Sequence, residues 1–334
     1  MSLHYSDKRD TLKDIFGTNT INLEKERMII DGKIYPIVDD VIIILEPSQY
    51  PPALKKRLQA FSDISDVHPY DFAEDIQFTF GEEWQRFSQI LPEHEKEFKQ
   101  YFDLIDSSKL KNARICDLGC GIGRWSYFLK DKCSEIVLVD FSEAIFVARQ
   151  NLKDVKNALF FMGDLMRLPF RDNFVDFLFC LGVLHHLPSN ALTEVRALKK
   201  YASSLLIYLY YALDNRPFYF RSLLVIVTAL RRFVSKIRRP AFRSFFTWSI
   251  MASIYLPFIW LGKLLMPIGF SKYVPLYESY NGKGMERIRQ DVYDRFFTSI
   301  EQRFSKKQIM ELRDTFSDVI ISEQLPYWHF ICEK

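Results

Sequence analysis

Apolar residues in this chain come in short runs that end at polar or glycine positions, and the spacing of those runs sets out a series of strands. Residues 134–142 form a brief apolar strand ending in Asp140, with Ser142 placed to cap a helix from Ala144 to Asn151. Further strands are predicted at 158–162, at 174–180 leading into 181–188, and at 203–210 after a helix from Asn190 to Lys200. Earlier in the chain, 27–30, 33–38 and 41–45 read as strands; Asp31-Gly32 between the first two is a strong hairpin signal. Later, Ser305 caps an amphipathic helix over 306–313, and strands follow at 318–322 and 327–332.

One stretch departs from this rhythm. Between Arg221 and Phe270 the chain is apolar and aromatic, and Arg231, Arg232, Lys236, Arg238, Arg239 and Arg243 precede an uncharged run from Ser244 to Gly262. Three readings stay open: a helical lid, a helix lying in a bilayer surface with its basic cluster on anionic headgroups, and a transmembrane span. Pro257 inside the run and its diluting serines and threonine weigh against a span, so the lid is preferred.

Candidate chemistry enters with residues 114–124, RICDLGCGIGR, which place glycines at 119, 121 and 123 straight after an apolar strand that contains Asp117. Glycine has no Cβ to clash, so such a turn lets backbone press against a ligand. A dinucleotide-binding turn needs its third glycine where Arg124 stands, and the charge of Asp117 repels a pyrophosphate while attracting an ammonium group. The set Asp117, Gly119, Gly121 and Gly123 resembles the first motif of class I S-adenosylmethionine-dependent methyltransferases, and the strand ends at Asp140, Asp164 and Cys180 follow in the family's order. The chain looks like a type 11-like methyltransferase with an N-terminal extension and a helical lid insertion. That resemblance implies an α/β, Rossmann-like sheet of seven strands, mostly parallel with an antiparallel last strand. It also implies S-adenosylmethionine as cofactor and S-adenosylhomocysteine as product.

Residue roles follow from the same likeness. Asp117, Gly119, Cys120 and Gly121 belong to the loop around the methionine half, Asp140 to the ribose hydroxyls with Phe141 beside it, and Asp164 to the adenine amino group. Gly163 precedes that acid, the Leu165 N–H meets an adenine ring nitrogen, and Cys180 and Leu181 close the fourth strand. Asp176 is read as structural. Residues 77–87 resemble a segment that caps the pocket in such enzymes, so that Trp84 and Arg86 cover the methionine end; the alternative is a helix that buries Trp84 and Phe87 against the sheet. His185 and His186, just past the fourth strand, are the candidate catalytic bases for an acceptor that must lose a proton, or else shape the loop. Tyr277, Tyr280, Tyr293 and Trp328, with Arg295 or Arg303 for an anionic group, are the candidate acceptor pocket. No metal is expected. Residues 32–41 also resemble the closing half of zinc-ribbon-like modules that precede some bacterial methyltransferases, without their cysteines.

Composition narrows the partners. Among 334 residues the formal net charge is only +3, which gives no field to draw a polyanion, so nucleic acid is not expected and a small-molecule acceptor is: a metabolite, sugar or natural-product intermediate. A membrane-associated lipid or quinone acceptor, with peripheral membrane contact through 221–270, and a catalytically inactive cofactor-binding scaffold are the alternatives. The five cysteines, at 116, 120, 133, 180 and 332, show no C-x-x-C spacing and fit reduced, cytoplasmic packing residues. The N-terminal residues carry no apolar signal core, and export is not expected. The organisation expected is a small β unit over 1–50, a helical cap or linker over 51–110, a cofactor-binding core over 111–210, a lid over 211–290, and the rest of the core over 291–334.

Overall fold

The computed structural model describes residues 3–58, 77, 81, 87–324 and 328–334, so Trp84 and Arg86 lie outside the described residues. Eleven strands are present among them: β1 Ile21–Leu23, β2 Arg27–Ile30, β3 Lys33–Val38, β4 Val41–Ile43, β5 Arg114–Leu118, β6 Glu135–Asp140, β7 Ala158–Met162, β8 Phe177–Leu181, β9 Ser204–Leu209, β10 Asp318–Ile321 and β11 Trp328–Glu333. They form one sheet in the order β1-β2-β3-β4-β7-β6-β5-β8-β9-β11-β10. From β4 to β9 every pairing is parallel. β11 runs against both β9 and β10, so β10 points with the parallel set and, among β5 to β11, only β11 opposes it. Over β5 to β11 that is the Rossmann-like sheet of seven strands that the resemblance implies, with four further strands at one edge. Strands β7 and β8 are buried at every position, which is why they read as unbroken apolar runs instead of alternating ones.

Local signals act where the sequence places them. The helix Ala144–Asn151 starts beside Ser142, whose hydroxyl accepts the Ala144 N–H at 3.3 Å. Ser305 and Gln308 form a reciprocal capping box, although the helix they begin, Lys306–Met310, tightens into a 3-10 turn at Glu311–Asp314 before reaching 313 as an α-helix. Asp176 stands just before β8, and its carboxylate accepts the Arg114 N–H at 2.8 Å, a structural brace between two neighbouring strands. All five cysteines are buried and unbridged.

The first fifty residues are not a separate unit. A hairpin turn with positive φ at Asp31 and Gly32 joins β2 to β3, but β4 then adds in parallel to β7, Ile42 opposite Phe161. Leu12, Ile15 and Met28 share one buried cluster with Val137, Leu159 and Phe161, so this segment has no core of its own. Tyr5 fixes the join: its hydroxyl donates to the Asp40 carbonyl at 2.7 Å and accepts the Phe160 N–H at 3.2 Å. The helix Arg9–Phe16 and strand β1 belong to this extension and were not expected.

Beyond β9 the chain is helical, with helices at Phe218–Val234, Pro240–Ile250, Leu256–Leu265 and Met285–Phe297. Pro257 does not end its run. A π turn at Met251–Tyr255 stands between Pro240–Ile250 and Leu256–Leu265, loosening the backbone where the proline ring must fit, and the helical path continues to Ile268. The boundary expected at 290/291 falls inside the helix Met285–Phe297, which belongs to the lid.

Candidate functional site

The carboxyl ends of the parallel strands build the floor of a cavity. Gly119 has φ +78, and a Cβ there would stand 2.4 Å from Val183 Cγ2, so no other residue fits this bend without displacing its neighbour. The Gly119 and Cys120 N–H groups both donate to the Val139 carbonyl, at 2.8 and 3.1 Å, which ties the loop to β6. Asp140, at the end of β6, accepts the Gly121 N–H at 2.8 Å with one oxygen, and with the other the Ser142 N–H at 2.8 Å and hydroxyl at 2.7 Å. Burial raises the Asp140 carboxyl, opposed by the hydrogen bonds from Ser142 and Gly121. Asp164 accepts the Met166 N–H at 3.0 Å and the Gln49 side-chain amide at 2.9 Å, so the N-terminal extension reaches into the site.

The roof comes from the lid. Helix Met285–Phe297 turns Arg287, Gln290, Asp291, Asp294 and Arg295 toward the cavity, spaced i, i+3, i+4, i+7 and i+8, while Ile288, Val292, Tyr293, Phe296 and Phe297 pack into the lid core. Arg287 Nε lies 3.1 Å from Glu97, which also takes Lys283 at 2.9 Å, and Arg287 pairs with Asp291 one turn on. Burial alone would raise the Glu97 carboxyl, but Arg287 and Lys283 hold it far below the usual carboxylate range. Tyr101, Tyr208, Tyr210 and Tyr280 complete aromatic walls between floor and roof.

The structure brings together on the cavity wall Gly119, Cys120, Asp140, Phe141, Gly163, Asp164, Leu165, Leu181, His186, Tyr280 and Arg295. Others of the expected residues stand elsewhere. Asp117 is 1% exposed and turned away beneath the loop, accepting the Ser126 hydroxyl at 2.6 Å, and burial pushes its carboxyl up to about 7 against that bond. It ties β5 to the helix Arg124–Leu129 that follows the glycine loop and does not line the cavity. Gly121 works through its N–H on Asp140, and Cys180 lies fully buried inside β8. Tyr277 packs on Gly262, Tyr293 accepts the Arg243 guanidinium at 2.8 Å, and the Trp328 indole donates to Asp214 at 3.3 Å, so none of the three lines the cavity. Arg303 lies over the Tyr210 ring and pairs with Glu301.

The two histidines part company. His185 is fully buried, stacked on Tyr210 at 3.8 Å between centroids, with neither ring nitrogen hydrogen-bonded; burial, with His186 and Arg303 nearby, holds it neutral. His186 lines the cavity. Its Nδ1 lies 2.8 Å from the Ile300 carbonyl, which can only accept, so Nδ1 donates there and leaves Nε2 as the other polar atom of the ring. That Nε2 is 3.7 Å from Asp294, whose carboxylate also receives the Tyr210 hydroxyl and the Thr298 hydroxyl.

Of the roof stripe, sequence reasoning named Arg295 and missed Arg287, Gln290, Asp291 and Asp294, although a charged stripe at helical spacing beside an apolar one was readable. It also missed Tyr208 in β9 and Tyr210 just past its end, two positions apart and therefore on one side of an extended chain. Gln49 and Glu97 gave no signal, since each acts through a partner more than a hundred positions away along the chain.

Residues 116–206 match the family described as "Methyltransferase domain". An uncharacterized RNA methyltransferase of Bacillus cereus is 30% identical over 161 residues, covering 45% of this chain and 33% of that protein. The sterol 24-C-methyltransferase erg6 of Schizosaccharomyces pombe is 24% identical over 143 residues, covering 40% of this chain and 36% of its own. The chain thus spans about a third of the length of these relatives. Among solved structures, magnesium protoporphyrin IX methyltransferase from Synechocystis with bound S-adenosylhomocysteine is 16% identical, covering 77% of this chain and 96% of its own with a TM-score of 0.41.

Proposed function

Since the chain carries a class I S-adenosylmethionine-dependent methyltransferase domain, we propose that it transfers a methyl group to a small-molecule acceptor held between the sheet and the helix Met285–Phe297. One observation carries the reading: the floor and the roof line a single cavity. The floor end offers acceptor oxygens at Asp140 and Asp164 beside a glycine bend that a Cβ would fill, which fits the hydroxyls and amino group of an adenosine. Toward the roof, Lys283, Arg287 and Arg124 fit the carboxylate of an amino acid. The cofactor, when bound, supplies an electrophilic methyl group on a sulfonium.

What the protein's residues do is position and deprotonate. Aromatic walls and a closed roof exclude water and hold the acceptor in line, an arrangement worth roughly 7–11 kcal/mol of barrier when donor and acceptor are aligned. His186 Nε2 accepts the acceptor's proton, and the Asp294 carboxylate at 3.7 Å stabilises the imidazolium that forms. Enclosure by the roof favours a small acceptor over RNA. Incubation with methyl-labelled cofactor and fractionated cell extract tests this: label in a compound of metabolite size is expected, whereas label confined to an RNA or protein fraction overturns it.

A further inference from the structure

From Asn215 to Tyr277 the chain contains no aspartate or glutamate, while it carries ten lysines and arginines. In the fold this acid-free segment has two faces. The inner one repeats nearly every four residues along 240–268, at Arg243, Thr247, Met251, Tyr255, Ile259 and Gly262, all buried. Arg243 donates to the Tyr293 hydroxyl on the roof helix at 2.8 Å, and Gly262 is packed so tightly that a Cβ would meet Tyr277 at 2.1 Å. This face is committed to the body of the protein.

The outer face is apolar and open. Val225 is 69% exposed, Phe233 74%, Phe245 72%, Trp260 67%, Leu264 60% and Ile268 65%, and together they far exceed the scattered apolar exposure of an ordinary surface. Arg221, Arg232, Lys236, Arg238, Arg239, Lys263 and Lys272 are exposed among them. The helical run 240–268, mean hydropathy 1.5 in its most apolar window and 22% buried there, is long and apolar enough to cross a bilayer. Crossing would strip Arg243 and Phe246 from the roof helix and leave a cation in hydrocarbon, so the seated inner face holds the run parallel to any membrane it meets. A second copy is a poor occupant, because two acid-free basic faces repel each other.

We propose that the outer face of residues 218–273 docks on an anionic lipid bilayer, with its aromatic and aliphatic side chains in the headgroup–acyl boundary and its lysines and arginines on the lipid phosphates and carboxylates. The inference does not rest on methyl transfer.

The full chain is floated with vesicles of phosphatidylcholine containing phosphatidylserine, and with phosphatidylcholine alone. Binding to the anionic vesicles is expected, weaker on the neutral ones and weakened by salt. R232E with R238E is expected to lower partitioning by about fivefold per residue or more. F245E with W260E is expected to abolish it, while both pairs keep the wild-type thermal midpoint and S-adenosylhomocysteine binding, since every altered side chain is exposed. The proposal is overturned by absence of flotation on either vesicle, by flotation that both variant pairs leave unchanged, by dimers in light scattering that F245E with W260E dissolves, or by membrane retention through alkaline carbonate washing, which marks a span.

Discussion

At the residue scale, His185 and His186 are adjacent in sequence and opposite in use. His186→Ala removes the imidazole that lines the cavity, and turnover is expected to fall by about a hundredfold or more for an acceptor that must be deprotonated, with S-adenosylhomocysteine affinity unchanged by calorimetry. His185→Ala empties a space stacked on Tyr210 and is expected to lower the thermal midpoint, with its loss of turnover following from stability. Asp117 is a third case. Its carboxyl titrates at about 7 in the fold against an ordinary 3.8, so the folded chain keeps a proton that the unfolded chain has released. Stability therefore falls as pH rises from about 4 to about 7 and levels off above, the sign for a group whose pKa the fold raises. Asp117→Asn removes that contribution, and its thermal midpoint is expected to decline less across the window than the wild type's; parallel curves would refute a buried, proton-holding Asp117.

At the element scale, the helix Met285–Phe297 is tied to the helix Glu93–Tyr101 through charge. Glu97 and Arg287 each keep only 8% of their side-chain surface exposed, so removing one partner leaves the other charged in a poor solvent. Arg287→Ala is expected to cost about 3–5 kcal/mol in denaturant unfolding, and Glu97→Gln with Arg287→Met together less than Arg287→Ala alone. This helix also shows where sequence reading runs short. The strands β5 to β8 were legible because each is a buried apolar run ended by a glycine or an acid, and β9 because it is a buried apolar run following a capped helix. The roof was partly legible, as a charged stripe at helical spacing, but which cavity it faced depends on the chain's return from the lid, and no local pattern encodes that. Tyr293 and Trp328 have the composition of pocket residues and instead hydrogen-bond to Arg243 and Asp214. Residue type alone did not separate a pocket aromatic from one anchored in the fold.

At the scale of the whole molecule, the single sheet makes the N-terminal extension part of the core. A chain lacking residues 1–45 would expose the edge of β7 and the apolar faces of Leu159 and Phe161. It is expected to be insoluble on expression, where an independent module would leave a soluble core that still binds S-adenosylhomocysteine. The extension escaped sequence reasoning as an integral piece because hairpin signals report only neighbours in the chain, whereas the pairing of β4 with β7 is a tertiary event.

Tyr5 and Phe160 meet across 155 positions of sequence. A contact so remote forms only after the intervening polypeptide has been drawn together, at a conformational entropy that local turns never incur, and proteins built on such contacts reach their native state slowly. Until β4 finds its place, β7 presents an open hydrogen-bonding edge to every other nascent chain, and refolding yield is expected to fall steeply with protein concentration.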